Sequence, residues 1–135
     1  MTQLSIEVKG ADIVRRGLQD LSAEIPKIGR LQIYQTAQAI VRRMKMYPPP
    51  PAASTYVRTG TLGGGWTITP NTNGYTTRND TPYTKYVVGN AWGLEQAWMH
   101  VGRWQLLRDV QDEEVAKLPD EIEKEISAVA RKVGL

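Results

Sequence analysis

The 135-residue sequence predicts an α+β fold: a small antiparallel sheet packed by a long helix, with an N-terminal strand and helix and a C-terminal helical arm. Three observations carry that expectation. Apolar residues recur at three- and four-residue spacing before Met46 and again after Gln105. Between these regions the pattern alternates, with Asn73-Gly74 as a hairpin signal because both residues accept positive φ. Pro48 to Pro51 then separate the first helical region from the sheet, since consecutive prolines cannot continue a helix. The length suits a single domain, 1–135, large enough to bury a core unaided.

Each element has a local reason. Leu4, Ile6 and Val8 alternate with Ser5 and Glu7, which predicts a short half-buried strand ending at Gly10. Val14, Leu18, Leu21 and Ile25 mark one face of a first helix. Pro26 is expected to end that helix and to open a second, reaching Met46. Ala37, Ile40, Val41 and Met44 line the second helix's buried face, entered by Leu31 and Ile33 or Tyr34. Arg42, Arg43 and Lys45 lie off that face near the C-terminus, where cations complement the helix dipole. Pro48–Ser54 reads as an exposed loop. Trp66 and Ile68 then face one side of a strand, Thr67 and Thr69 the other, and Tyr75–Asn79 returns as its partner. The apolar run Tyr83–Val88 suggests a further strand, and Asn90–Arg103 is irregular. Leu106 or Leu107 and Val110 start the last helical region. Leu118, Ile122, Ile126, Val129 and Val133 continue it, with a kink or fresh start at Pro119.

Composition removes several function classes. There is no cysteine, hence no disulfide, thiolate metal site or cysteine nucleophile. No stretch approaches the roughly 20 apolar residues of a membrane-spanning helix, so the expectation is a soluble chain made in the cytoplasm with no membrane partner. The sole histidine, His100, would need a nucleophile or orienting group to act as the base of a small hydrolase. Gly63-Gly64-Gly65 lacks the Lys-Ser/Thr of a phosphate loop and suits a tight turn into the Trp66 strand. Glu113-Glu114 and Asp120-Glu121 read as a solvated helical face without metal-ligand spacing. The sequence therefore predicts no catalytic centre, metal or cofactor. Residues 1–108 carry 13 Lys and Arg against 6 Asp and Glu, whereas 109–135 carry 4 against 8. A basic body with an acidic end suits contact with nucleic acid or head-to-tail contact between copies. Arg58, Arg78, Lys85 and Arg103 interleaved with Tyr56, Trp66, Tyr75, Tyr83 and Tyr86 could stack on a nucleic-acid strand. The competing reading is that these aromatics form the core.

Three motifs stand in order along the chain: Tyr56-Val57-Arg58-Thr59-Gly60-Thr61-Leu62, then Tyr83-Thr84-Lys85-Tyr86-Val87-Val88-Gly89, then Gln96, His100 and Gly102-Arg103-Trp104. In this order the chain resembles the lambdoid-type tail-completion, or head–tail joining, proteins of tailed phages, also labelled minor tail or neck proteins. Many members place a Pro-Phe pair before the last helix; this chain has no Phe, which leaves a completion protein and a tail terminator both open. The resemblance implies a non-enzymatic virion protein, a subunit of a homo-oligomeric ring at the head–tail junction. It implies contact with other neck or tail or portal-adaptor proteins, and non-specific contact with DNA in the channel. The interface candidates are Tyr56, Arg58, Thr59, Gly60, Leu62, Tyr83, Tyr86, Gly89, Gln96, His100, Arg103 and Trp104. Within the first motif, Thr59, Gly60 and Leu62 are accounted for by backbone turning and return to the core. Arg58, a planar fork of donors, is left for assembly. The Pro48–Tyr56 loop, the Asn90–Trp104 segment and the acidic final helix complete the expected interface elements.

Overall fold

The computed structural model describes residues 11–49, 60–72 and 74–135. The expected Leu4–Val8 strand, Pro50–Ser54 of the proline loop, and Tyr56, Arg58 and Thr59 of the first motif lie outside the described residues. In chain order the elements are helix α1 (Ala11–Met44), the single turn α2 (Thr61–Gly64), strands β1 (Trp66–Asn71) and β2 (Gly74–Asn79), the short helix α3 (Thr84–Val88), a 3-10 turn at Trp98–His100, and helices α4 (Leu107–Ala116) and α5 (Leu118–Lys132). The α+β class is as the sequence predicts: a long helix, a two-stranded antiparallel sheet and C-terminal helices. The described residues up to Leu31, with Pro119–Leu135, form one compact unit, and Gln32–Leu118 forms another.

The second unit holds the main core. Ile40, Val41 and Met44 of α1 gather with Leu62 of α2, Trp66 of β1, Val87 and Val88 of α3, and Val110 of α4. Tyr47, Ile68, Trp104 and Leu107 pack around them. Val88 and Val110 are the most deeply buried, at 0% and 1% exposure. The buried face read from Ala37, Ile40, Val41 and Met44 is therefore correct, but Leu31 is exposed and does not join it. β1 and β2 pair from Trp66↔Asn79 to Asn71↔Gly74, so the two-residue connection is 72–73, one position earlier than the Asn73-Gly74 signal suggests. Trp66 and Ile68 turn inward and Thr67 and Thr69 outward, as alternation requires. The hairpin is held from two sides. Tyr34 of α1 packs on Tyr75 with ring centroids 5.0 Å apart, and Gln111 of α4 donates to Thr77 Oγ1 at 3.2 Å.

Three sequence expectations are corrected. Pro26 does not separate two helices; α1 runs through it without interruption. A mid-helix proline forfeits one backbone hydrogen bond and crowds the carbonyl four residues earlier. Pro26 and Ser22 are both exposed, so water can satisfy that carbonyl, while Gly17, Ile28 and Gln32 are buried on either side. Tyr83–Val88 is not a strand, because its buried residues fall at helical spacing: Thr84, Val87 and Val88. The reversal is fixed by polar groups before it. Asn79 Oδ1 accepts from Thr81 N at 3.0 Å, and the single Thr84 hydroxyl proton is shared between the Thr81 carbonyl at 2.7 Å and Asn79 Oδ1 at 3.1 Å. These bonds fix the turn that leads into α3, whose N-cap residue Tyr83 has no side-chain cap of its own. Finally, the stripe Val14, Leu18, Ile25 lies on one face of α1, yet all three are exposed and only Leu21 is half-buried.

In α5 the predicted stripe is half-buried: Leu118, which belongs to the second unit, and Ile122, Ile126 and Val129 of the first, with Val133 just past the helix end. α5 starts beside Pro119, with Asp120 and Glu121 in its first turn and Arg131 and Lys132 in its last, matching the helix dipole. The chain end closes on α1 at Gly17, where a Cβ would lie 3.0 Å from the Val133 carbonyl and 3.1 Å from Leu135 Cδ2.

Burial sorts these apolar residues into two classes with different mutational costs. Met44→Ala is expected to destabilise by about 2–5 kcal/mol, the range for emptying a packed methionine or leucine site. Leu18→Ala is expected to change stability by no more than about 0.5 kcal/mol, as at exposed positions. Urea unfolding of dilute protein, followed by circular dichroism, measures both.

Candidate interaction site

The first motif is described from Gly60 onward. Gly60 takes φ 79°, the left-handed conformation glycine adopts without strain, and directly precedes α2. Leu62 returns to the core at 4% exposure. Two side chains pin this turn: Tyr47 Oη accepts from Gly63 N at 2.7 Å, and Asn79 Nδ2 donates to the Leu62 carbonyl at 2.7 Å. Gly60 and Leu62 are thus structural, as their chemistry predicts.

The second motif divides between surface and core. Tyr83 and Tyr86 are exposed, while Val87, Val88 and Gly89 are buried. Lys85 Nζ sits 5.1 Å from the Tyr86 ring centroid, within cation–π range, and 3.7 Å from Glu95 Oε1. Gly89 has φ 79°, and a Cβ there would fall 2.8 Å from Leu106 Cδ2. Only glycine meets both demands.

The third motif is the scaffold of the following segment. Gln96 Nε2 donates to the carbonyls of Val87 at 2.8 Å and Trp104 at 3.2 Å, with a longer 3.4 Å approach to that of His100. One amide therefore ties the end of α3 to both ends of the 100–104 turn. Ala97 N adds a 2.7 Å bond to the Tyr86 carbonyl. Trp104 packs on Tyr47 at 5.1 Å between centroids and meets His100 edge-on at 6.2 Å. Arg103 Nη2 donates to the Pro49 carbonyl at 3.1 Å, tying this segment to the start of the proline loop. Burial, with the nearby Arg103 charge second, lowers the His100 pKa, so the ring is neutral at pH 7. His100 Nδ1 is buried with no hydrogen-bond partner among the described residues, so no orienting carboxylate is supplied at that atom.

The groups actually presented outward are others. Residues 90–95 form a tightly bonded loop. Asn90 Oδ1 accepts from Trp92 N at 2.9 Å and Leu94 N at 3.0 Å, and Asn90 Nδ2 donates to Glu95 Oε2 at 3.0 Å. Arg108 Nη1 fastens the loop to α4 through the Trp92 carbonyl at 2.7 Å. Glu95 holds φ 67°, a left-handed value that costs a non-glycine residue about 1 kcal/mol or more. Its two polar partners, Asn90 and Lys85, help to hold it there. On this fixed frame Trp92 is 72% and Trp98 83% exposed, with Leu94, Met99 and Val101 also outward. The sequence singles out Gln96, His100, Arg103 and Trp104 in this segment, and these mainly brace it. The outward Trp92 and Trp98 are legible only as members of an irregular, aromatic-rich stretch.

A second polar cluster lies where α1 meets α4. Arg43 Nη2 is 2.7 Å from Glu113 Oε2, and Nη1 donates to Glu114 Oε1 at 3.1 Å. Lys117 Nζ reaches both Glu114 oxygens, at 3.2 and 3.3 Å. Glu114 is buried, which corrects the expectation that Glu113-Glu114 is a solvated pair. Burial pushes the Glu114 carboxyl up, but hydrogen bonds and charge from Lys117 and Arg43 outweigh it and hold the pKa below its ordinary value. Arg43 is thus a structural cation bridging two elements, beyond a helix-dipole role.

Among the described residues no cluster of three or more His, Asp or Glu is placed to hold a metal ion, and no helix is long and apolar enough to cross a membrane. Comparison with protein-family models, curated proteins and solved structures gives no match.

Two expectations follow from the electrostatics. Arg43→Ala strips the buried Glu114 of its bridging cation and is expected to cost about 2–3 kcal/mol. Lys117→Ala removes an exposed partner and is expected to cost under about 1 kcal/mol; urea unfolding separates the two. For pH, the unfolded chain protonates His100 near 6.5 while the folded chain resists. Unfolding free energy therefore falls as pH drops below that value, and His100→Gln flattens this portion of the curve. A second loss begins near pH 4.5, where unfolded Glu114 takes up its proton before the folded residue does. It persists in His100→Gln and shrinks in Glu114→Gln.

Proposed function

We propose that this chain is a non-enzymatic structural subunit of a tailed-phage virion. It acts in a homo-oligomeric ring at the head–tail junction and docks on neck, tail or portal-adaptor proteins. The observation that carries the reading is the exposed apolar surface on residues 83–101. Tyr83, Tyr86, Trp92, Leu94, Trp98, Met99 and Val101 all lie outward on a segment braced by Gln96, Asn90 and Arg108. Rigidly held, exposed Trp and Tyr are the residue types that dominate binding energy at protein interfaces. So many exposed large apolar side chains within one short stretch of chain support an interaction site there. The order of the three motifs supplies the phage assignment, and the same surface serves a tail terminator or another minor tail subunit.

The test is mass spectrometry of purified virions, followed by cryo-electron microscopy of the particle. The expected outcome is the protein in the particle, as a ring at the neck. Its absence from virions overturns the reading. A DNA-binding module is the rival of a different class, favoured by exposed Lys85 within this segment and Arg103 and Arg108 just after it. Under the assembly reading, binding to double- or single-stranded DNA is weak even at low salt. Tight binding that falls steeply as salt rises would favour the rival.

A further inference from the structure

His100 is the centre of the turn that carries the exposed side chains of Trp98, Met99 and Val101. Its amide donates to the Ala97 carbonyl at 2.9 Å, and its own carbonyl accepts from Arg103 N and Trp104 N, both at 3.0 Å. The Gln96 amide approaches the same carbonyl at 3.4 Å. The backbone of one residue therefore ties both ends of the turn. Its ring meets Trp104 edge-on at 6.2 Å between centroids. Trp104 packs in turn on Tyr47, whose hydroxyl accepts from Gly63 N. The ring nitrogen Nδ1 is buried and has no hydrogen-bond partner among the described residues. We propose that this ring is an acid-operated latch: protonation of His100 opens the Trp98–Trp104 turn and displaces the apolar side chains it presents.

The neutral ring suits this place and the cation does not. A protonated imidazole carries N–H on both nitrogens, so the buried Nδ1 becomes a charged donor without an acceptor. An unmet buried donor is costly, and more so when it is charged. The surroundings add no counter-charge. Arg103 is the charged group that acts on the ring, and it is itself a cation, kept in place by its bond to the Pro49 carbonyl at 3.1 Å. Helix α3 packs against the turn and brings Lys85, a further cation, whose partner Glu95 lies 3.7 Å away. Tyr47, reached through Trp104, brings a hydroxyl already engaged with Gly63. Opening the turn lets the charged ring reach water, which removes the penalty. The direction in pH follows. Burial first, and Arg103 second, hold the His100 pKa in the closed turn below its ordinary 6.5. The closed form is therefore at full strength above that value and weakens as pH falls through it. That opening ends association rests on reading residues 83–101 as the interaction site; the opening itself does not.

Amide hydrogen exchange of the full-length chain at about pH 7.5 and about pH 5.5, either side of the ordinary histidine value, tests the latch. The lower value stays above the range in which exposed carboxylates take up protons. The amides to follow are those of Arg103 and Trp104, which bond the His100 carbonyl. After correction for the intrinsic rate, they are expected to exchange several-fold faster at the lower pH. They are also expected to exchange faster than the amides of the β1–β2 ladder, which marks a local opening and not unfolding of the whole unit. His100→Phe keeps an aromatic ring beside Trp104 and cannot take a proton, so its Arg103 and Trp104 amides are expected to hold equal protection at both pH values. If that variant does not fold, His100→Gln replaces it. Equal protection of the wild-type turn at both pH values overturns the latch. So does a variant that loosens in acid as wild type does, or a turn that exchanges only at the ladder's own rate. If the chain is missing from virions yet acid loosens the turn, the phage assignment fails and the latch stands. If the chain forms the neck ring and its turn stays closed at the lower pH, the ring stands and the latch fails.

Discussion

The second unit is organised by the last three turns of α1. Ile40, Val41 and Met44 put apolar atoms on one side of that helix, and Arg43 puts a guanidinium beside them. Burying the first set fixes where α2, β1, α3 and α4 lie. The cation then decides which turn of α4 is seated, because only the turn carrying Glu113 and Glu114 satisfies it. The apolar contacts supply most of the free energy and tolerate small shifts; the charged pair is directional and does not. A helix end that combines the two sets both the energy and the register of its neighbours.

The exposed surface at residues 83–101 is built by division of labour. Groups that would be costly to leave unpaired, such as the carbonyls of Val87 and Trp104, are satisfied from beneath by the Gln96 amide. Asn90 does the same for the amides of Trp92 and Leu94. With the backbone satisfied internally, the indoles of Trp92 and Trp98 are free of structural duty. The segment is irregular in secondary structure but well connected by hydrogen bonds. A partner meeting it would spend little conformational entropy on ordering the loop, which favours tight association for a given area.

Much of this was legible in the sequence, for identifiable reasons. The α+β class, the hairpin, the buried face Ala37–Met44 and the α5 stripe are periodic signals, and periodicity survives folding because side-chain direction follows it. Gly60 and Leu62 were legible because a left-handed turn and a return to the core demand those residue types. The failures share one cause: a residue's own preference overridden by its surroundings, near or far along the chain. Pro26 marks a helix end in isolation, yet α1 continues through it, with Gly17, Ile28 and Gln32 buried on either side. Tyr83–Val88 has strand-like composition, yet Asn79 and Thr81 fix the turn that leads into a helix there. Glu114 resembles its solvated neighbours until Arg43, 71 residues earlier, is seen beside it. Periodicity in Val14, Leu18 and Ile25 reports that they share a face, and says nothing about what, if anything, covers it.

The separation of partners along the chain also bears on biosynthesis. Met44 and Val88 belong to the same core as Val110, and Arg43 waits for Glu113 and Glu114. A chain emerging from the ribosome therefore makes α1, the hairpin and α3 before it makes the helix that closes over them. Until α4 is clear of the exit tunnel, the nascent chain lacks part of its core and the acid partners of Arg43. Synthesis at roughly 5–20 residues per second is far slower than formation of a helix or hairpin, which takes microseconds. The interval is one in which a chaperone that shields apolar surface would have something to hold, and in which a truncated product ending before residue 107 would aggregate rather than fold.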